Sequence, residues 1–323
     1  MTVAFLILML PKSVMMRPLA QITWRIMAAV GILPLLPTNT LAGAWTQQKS
    51  GYYFSISASY FFTEEEYNHK GERVSIFDER VGFENASFRD FTIAAYFEYG
   101  VMDRLTLVAT LPFKILTSEW DTFLAGDILA GSQSINTVGL ADLTLSARYS
   151  ILAKPVVLAL QGGIKTPLGY EERPEDDGAP LGTGEVDGEA HLLLGTSLYP
   201  VPLYLTTGIG YRLRGGPLHD EIVYSAEVGY QLDKVLFKIN LDGIRNTITP
   251  PDLAGLPVVT PLPGGGGAPL TVIVGDQHVT KISPSIIYSI RDGLGIQGEI
   301  RHALAGTNTT SGTAFSLGIV ISR

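Results

Sequence analysis

Apolar and polar residues alternate along most of this chain, in segments separated by Gly, Pro, Asn and Asp. Period-two alternation marks a strand that turns one face to an apolar phase and the other to a polar one. Phe88 to Tyr99 sets Phe91, Ile93, Ala95, Phe97 and Tyr99 against Thr92, Ala94, Tyr96 and Glu98. Arg104 to Ile115 sets Leu105, Leu107, Ala109, Leu111 and Phe113 against Thr106, Val108, Thr110, Pro112 and Lys114. The cleanest segment is Gly139 to Ile151, where Leu143, Leu145, Ala147, Tyr149 and Ile151 oppose Asp142, Thr144, Ser146, Arg148 and Ser150. Residues 51–62, 155–167, 185–199, 203–213, 220–232, 235–246, 278–290, 293–304 and 312–322 repeat the pattern, which predicts twelve strands. At about 3.3 Å per residue and a tilt near 40°, a strand of about eleven residues rises roughly 28 Å. That matches the apolar band of a membrane barrel, about 25 Å tall, whereas soluble strands are about half as long.

The connections alternate as well. Short ones fall at 101–103, 152–154, 200–202, 233–234 and 291–292, and the others at 63–87, 116–138, 168–184, 214–219, 247–277 and 305–311. Short turns on one side and long loops on the other are the habit of outer-membrane barrels, with the turns periplasmic. The expected fold is therefore all-β: a membrane-spanning antiparallel up-and-down β-barrel of about 12 strands. Tyr99, Tyr149, Tyr230 and Tyr288 each end an even-numbered strand just before a short turn, and so predict a lipid-interface girdle at one level. Tyr199 ends another, but strict alternation turns it inward.

A charge facing lipid at mid-membrane costs about 2–4 kcal/mol, so the polar faces should line the lumen. The lumen-lining candidates are Glu98, Lys114, Asp142, Arg148, Lys165, Asp187, Glu189, His191, Arg212, Glu227, Lys238, Asp242, Lys281, Glu299 and Arg301, together with Arg214 and Glu221. Both signs are present, which predicts opposed charges that cross-link the wall around a narrow path rather than a single-signed ion-selective pore.

Residues 1–44 read differently. Arg17 and Arg25 precede the apolar stretch Ile26–Leu33, and Ala42-Gly43-Ala44 has the form of a signal-peptidase site. Cleavage after Ala44 is expected, leaving residues 45–323 as the barrel; Pro34 and Pro37 interrupt the apolar stretch and disfavour a membrane anchor.

Composition narrows the picture further. Mean hydropathy is +0.23. Yet no apolar run of about 18 residues follows residue 45, which argues for strands over helices as the membrane element. A net charge of -8 argues against a nucleic-acid partner, and the absence of Cys removes disulfides and thiolate metal sites. Glu64–Glu66 and the acidic run in 171–177 are the candidates for divalent-ion binding, without EF-hand spacing. Loop 247–277 is rich in Pro and Gly and could lie over the mouth. No cofactor motif and no G-x-S-x-G, H-E-x-x-H or P-loop occurs, so no catalytic residue is assigned. A lipase-like reading rests on His302 with Ser311 or Ser316 alone.

Gly51-Tyr52-Tyr53-Phe54, Gly139-Leu140-Ala141-Asp142-Leu143, Lys165-Thr166-Pro167-Leu168-Gly169, Leu181-Gly182-Thr183-Gly184 and Gly210-Tyr211-Arg212 resemble segments of the meta-pathway phenol-degradation-like outer-membrane proteins. The resemblance runs over roughly residues 45–323. It implies a transporter-type barrel for aromatic or hydrophobic compounds and carries over no functional residue. The tail departs from the usual outer-membrane ending, closing on Arg323 instead of an aromatic residue. The expected function is passive uptake of a small hydrophobic or aromatic solute across the bacterial outer membrane. Expected partners are outer-membrane lipid, lipopolysaccharide, the barrel-assembly machinery and that solute. The competing reading is a structural or adhesive barrel acting through its loops.

Overall fold

In the computed structural model the alternating segments are strands, each paired antiparallel with its neighbours until the last meets the first. The structure describes residues 43–77, 82–124, 128–170, 178–249 and 276–323. The expected leader up to residue 42, the acidic residues in 171–177 and most of the Pro/Gly-rich loop 247–277 lie outside the described residues.

Among the described residues fourteen strands occur in chain order: β1 (Tyr52–Tyr67), β2 (Arg73–Ser75), β3 (Phe83–Met102), β4 (Leu105–Leu124), β5 (Ile128–Leu140), β6 (Leu143–Leu152), β7 (Val157–Thr166), β8 (Asp187–Ser197), β9 (Leu203–Leu213), β10 (Glu221–Leu232), β11 (Val235–Asn246), β12 (His278–Arg291), β13 (Leu294–Thr307) and β14 (Thr309–Ser322). Twelve of them, β1, β3, β4 and β6 to β14, form the closed wall. Closure is made by β14 on β1, with Ile56 opposite Ile319 and Ser59 opposite Ser316. A closed wall leaves no unpaired edge, the condition for crossing lipid with strands.

The outward rows are apolar and bare. Leu107, Leu160, Ile209, Ile239, Ile296 and Leu317 all point away from the protein, and Leu317 is 69% exposed. So broad an apolar belt is stable only against another apolar phase, which here is lipid. Tyr99, Tyr149, Tyr230 and Tyr288 are exposed near the short-turn ends of their strands, and Tyr199 lies beyond the end of β8, exposed.

Three connections differ from expectation. The first barrel strand runs on to Tyr67, and β2 folds back on it, so 63–87 is only partly loop. Residues 116–138, expected as a loop, are mostly a hairpin: β4 continues to Leu124 and pairs with β5. Leu116, Ser118 and Trp120 continue the alternation of β4, and burial of Leu116 and Trp120 holds the extension. At 305–311 the expected loop is a tight hairpin turn at Asn308, whose φ of 50° is in the left-handed region that Asn tolerates.

The expected strand 139–151 is also divided. β5 ends at Leu140 and β6 begins at Leu143, and both pair with β4 on the same edge. Between Thr110–Thr144 and Phe113–Leu140 the ladder carries no pair, and one hydrogen bond remains, from Ala141 N to Pro112 O (2.9 Å). Proline has no N–H to give, so a ladder breaks where it faces a neighbour. The wall therefore has a seam at Pro112.

Candidate functional site

The lumen has three levels. At the short-turn end it is filled by the chain itself. Residues 43–50 have no periodic pattern and precede β1, and they run inside the wall instead of along it. Ala44 is fully buried, and the Trp45 ring stands edge-on to Tyr204 (5.7 Å, 86°) beside Leu236 and Ile287. Gly195 makes room for it: a Cβ there would lie 2.8 Å from Trp45 Cη2. Below this, Glu98, 1% exposed, gathers three donors. Arg148 Nη1 donates to Oε1 (3.0 Å), Gln47 Nε2 donates to Oε2 (2.7 Å), and the Tyr96 hydroxyl also donates to it. Arg148 Nη1 also donates to the Trp45 carbonyl (2.9 Å), and its Nε to Gln161 Oε1 (2.9 Å). Gln47 N donates to Thr106 Oγ1 (2.7 Å), and Lys49 N to Asp103 Oδ1 (2.9 Å) in the turn between β3 and β4. The segment is thus tied to the wall by charge-assisted bonds, roughly twice the strength of neutral ones.

The middle level is charged. Lys114 on β4 pairs with Asp90 on β3 (3.3 Å), Lys238 on β11 with Glu227 on β10 (2.9 Å), and Arg301 with Glu299 along β13 (2.8 Å). Tyr204 OH donates to Glu227 (2.6 Å), and Asn240 Nδ2 to Asp242 (2.9 Å). Lys281 on β12 stands opposite Asp242 in the ladder without forming an ion pair with it.

Toward the long-loop end two structures share the lumen. On the β6–β10 side a chain of ion pairs runs from Asp142, just before β6, across β7 to β10 and the loop after β9. Lys165 contacts Asp142 (3.1 Å) and Asp187 (2.7 Å), Arg214 contacts Glu221 (2.9 Å), and Arg212 joins Glu221 (2.9 Å) to Glu189 (3.1 Å). His191 lies 3.5 Å from Glu189. Tyr170 donates to Asp142 and accepts from Gly184 N (2.9 Å). On the β3–β5 side is an apolar cluster of Ile76, Phe77, Ala86, Phe88, Leu116, Trp120, Ala141, Ala179 and Leu181. Phe77 stands edge-on to Trp120 (6.3 Å) and to Phe83 (6.1 Å), and Phe61 to Phe88 (6.3 Å). Leu181 and Gly182 sit against the seam: a Cβ on Gly139 would lie 2.8 Å from Leu181 Cδ1, and one on Gly182 2.6 Å from Asp142 Oδ2.

The candidate residues fall into these groups as follows. Glu98 and Arg148 hold the N-terminal segment. Lys114, Glu227, Lys238, Asp242, Lys281, Glu299 and Arg301 lie in the middle level. Asp142, Lys165, Asp187, Glu189, His191 and Arg212, with Arg214 and Glu221, form the outer chain of ion pairs. Sequence reasoning missed residues 43–50 and the apolar cluster. The continued alternation at Leu116, Ser118 and Trp120 was the one signal for the cluster; the inward docking of 76–77 and 178–184 has none. His302 Nδ1 is bonded to Thr313 Oγ1 (2.8 Å) and Ser311 is fully buried, so the lipase candidates do not form a nucleophile–base pair. Glu65 pairs with Arg73, and no cluster of metal-ligating side chains occurs among the described residues.

No family model and no curated protein matches the chain. Among solved structures, an outer membrane channel of Pseudomonas putida F1 superposes with a TM-score of 0.61 at 16% identity, covering 88% of this chain and 99% of that one. This shows a shared fold: the closed antiparallel barrel. The translocator domain of an autotransporter of Neisseria meningitidis (TM-score 0.40, 13% identity, 94% and 96% covered) and a toluene transporter of Ralstonia pickettii (0.42, 10%, 88% and 92%) superpose too loosely to say more.

Proposed function

We propose that this protein is an outer-membrane channel for a small hydrophobic or aromatic solute, of the kind the meta-pathway phenol-degradation-like resemblance implies, exported by a leader cleaved after Ala44. The long loops then face outward and the short turns face the periplasm. The observation that carries the reading is the aromatic cluster of Phe77, Phe88 and Trp120 on the lumen side at the outer mouth. A conduit for polar solutes has no use for desolvated aromatic surface there, whereas an apolar solute partitions onto it at about 25 cal/mol per Å². The inner end is occupied by residues 45–50, which remain after cleavage, so the favoured exit is sideways through the seam at Pro112, which Leu181 and Gly182 cover from within.

The test uses the Cys-free background. A Gly139→Cys, Leu181→Cys double variant locks the loop onto the seam when oxidised. In liposomes, uptake of benzyl alcohol should stop on oxidation and return on reduction. Uptake that ignores the redox state would remove the seam as the exit. A barrel that passes no benzyl alcohol in either state would leave the adhesive reading, in which the loops bind and the lumen stays shut.

A further inference from the structure

Among the described residues Lys281 is anomalous. The other lysines and arginines of the middle level, Lys114, Lys238 and Arg301, each have a carboxylate within 3.3 Å. Lys281 has neither an ion pair nor a hydrogen bond, although Asp242 is directly across the ladder. Asp242 takes the amide of Asn240 instead. The lysine is partly buried on the lumen side of β12, and its ammonium feels Arg301 from β13, Asp242 from β11 at longer range than an ion pair, and both Lys114 and Asp90 from β4 and β3, strands well around the barrel from its own. It therefore reaches into the lumen instead of lying along the wall. A partly buried ammonium whose carboxylates stand beyond contact has all its N–H donors unbonded, and an anion brought from outside can satisfy them directly.

What lies beside this cation defines the anion. On β4 the lumen-side residue after Lys114 is Leu116, and on β3 the one outward of Asp90 is Phe88, both members of the aromatic cluster. Apolar surface and an ammonium without a contact partner therefore meet within one outward step of each strand.

We propose that the lumen holds a binding site for small carboxylic acids with an apolar, ring-sized body. The carboxylate is taken by Lys281 with Arg301 and Lys114 beside it, and the body by Phe88 and Leu116. This rests on the channel reading and names its substrate class: the solute is amphipathic, and its charged end points to the middle of the barrel.

The experiment titrates benzoate, and benzyl alcohol as its neutral counterpart, into the full-length barrel in detergent by calorimetry. It compares wild type with Lys281→Met, which keeps length and removes charge. Wild type should bind benzoate at least tenfold more tightly than benzyl alcohol, and Lys281→Met should lose that tenfold preference while binding benzyl alcohol unchanged. Heat-induced unfolding of the variant should occur no earlier than that of wild type, because an unpaired charge has been removed. Equal benzoate binding by both proteins overturns the proposal. So does a variant that alters only chloride-over-potassium selectivity in planar bilayers, which would make Lys281 an ion filter. Flux is a separate readout: benzyl alcohol uptake with no benzoate preference keeps the channel reading and rejects this site, whereas benzoate binding without uptake of either compound does the reverse.

Discussion

The two ends of the lumen are closed by different physics. The inner end is closed by a short segment of backbone held at Glu98, Arg148, Thr106 and Asp103 through directed bonds at fixed distances. The outer end, on its β3–β5 side, is closed by Ile76, Phe77, Ala179 and Leu181, packed on Phe88, Leu116 and Trp120 without directed bonds between those side chains. Directed bonds fix one geometry and fail together. Apolar packing is non-directional and gives way by degrees, and an apolar visitor can replace the group it displaces. The inner end thus has one fixed geometry and the outer end a yielding one.

The largest expected break in this comparison is Glu98→Ala. It leaves Arg148 buried without its carboxylate, a loss of about 3–5 kcal/mol. The unfolding temperature should drop and single-channel current should rise as residues 45–50 leave the lumen; an unchanged current would mean that the segment is held by something other than Glu98. Next is Leu181→Ala at the outer end, worth about 2–3 kcal/mol of local packing. It should speed uptake of benzyl alcohol while leaving ionic current at the wild-type level, so a matching rise in both would erase the distinction between the ends. Gly195→Val is smaller. Its side chain collides with Trp45, and overpacking costs about 1–3 kcal/mol, some of it relieved by moving the ring. Fluorescence of Trp45 should shift to the red, and a spectrum identical to wild type would place the ring elsewhere.

The smallest effect concerns the rim beside loop 247–277. Burial pushes the Asp276 carboxyl up, but the hydrogen bonds from His219 N (2.9 Å), the His219 ring (2.6 Å) and Asn246 Nδ2 (2.8 Å) outweigh it and hold the carboxyl below its usual range. A lowered carboxylate value stabilises above the unfolded value and loses that contribution as pH falls through the folded one. The contacts should therefore persist down to about pH 4 and weaken below it, read as faster amide exchange at His219. Weakening that begins near neutrality would assign them to a different group.

Much of the wall was legible because membrane strands must alternate over the whole thickness of the bilayer, and Leu143 to Ile151 does so without a fault. What escaped was non-local. Residues 43–50 have no period, and their place depends on Glu98 and Arg148 some fifty and a hundred positions away. The seam was hidden inside the cleanest alternation in the chain, because Pro112 acts on its neighbour strand and not on its own. The sign and face of Lys281 could be read directly, but its lack of a partner depends on register and on the choice Asp242 makes.

The extension of β4 has a mechanical meaning. From Leu105 to Leu124 the strand is continuous, with Pro112 near its lower third and the β4–β5 hairpin running roughly 40 Å along the strand beyond the seam at about 3.3 Å per residue. It is a lever whose pivot is a stretch of wall that carries no ladder pair. Whatever tugs on the hairpin from outside, a sugar chain or a bound particle, delivers its torque to the place where the ladder is already parted.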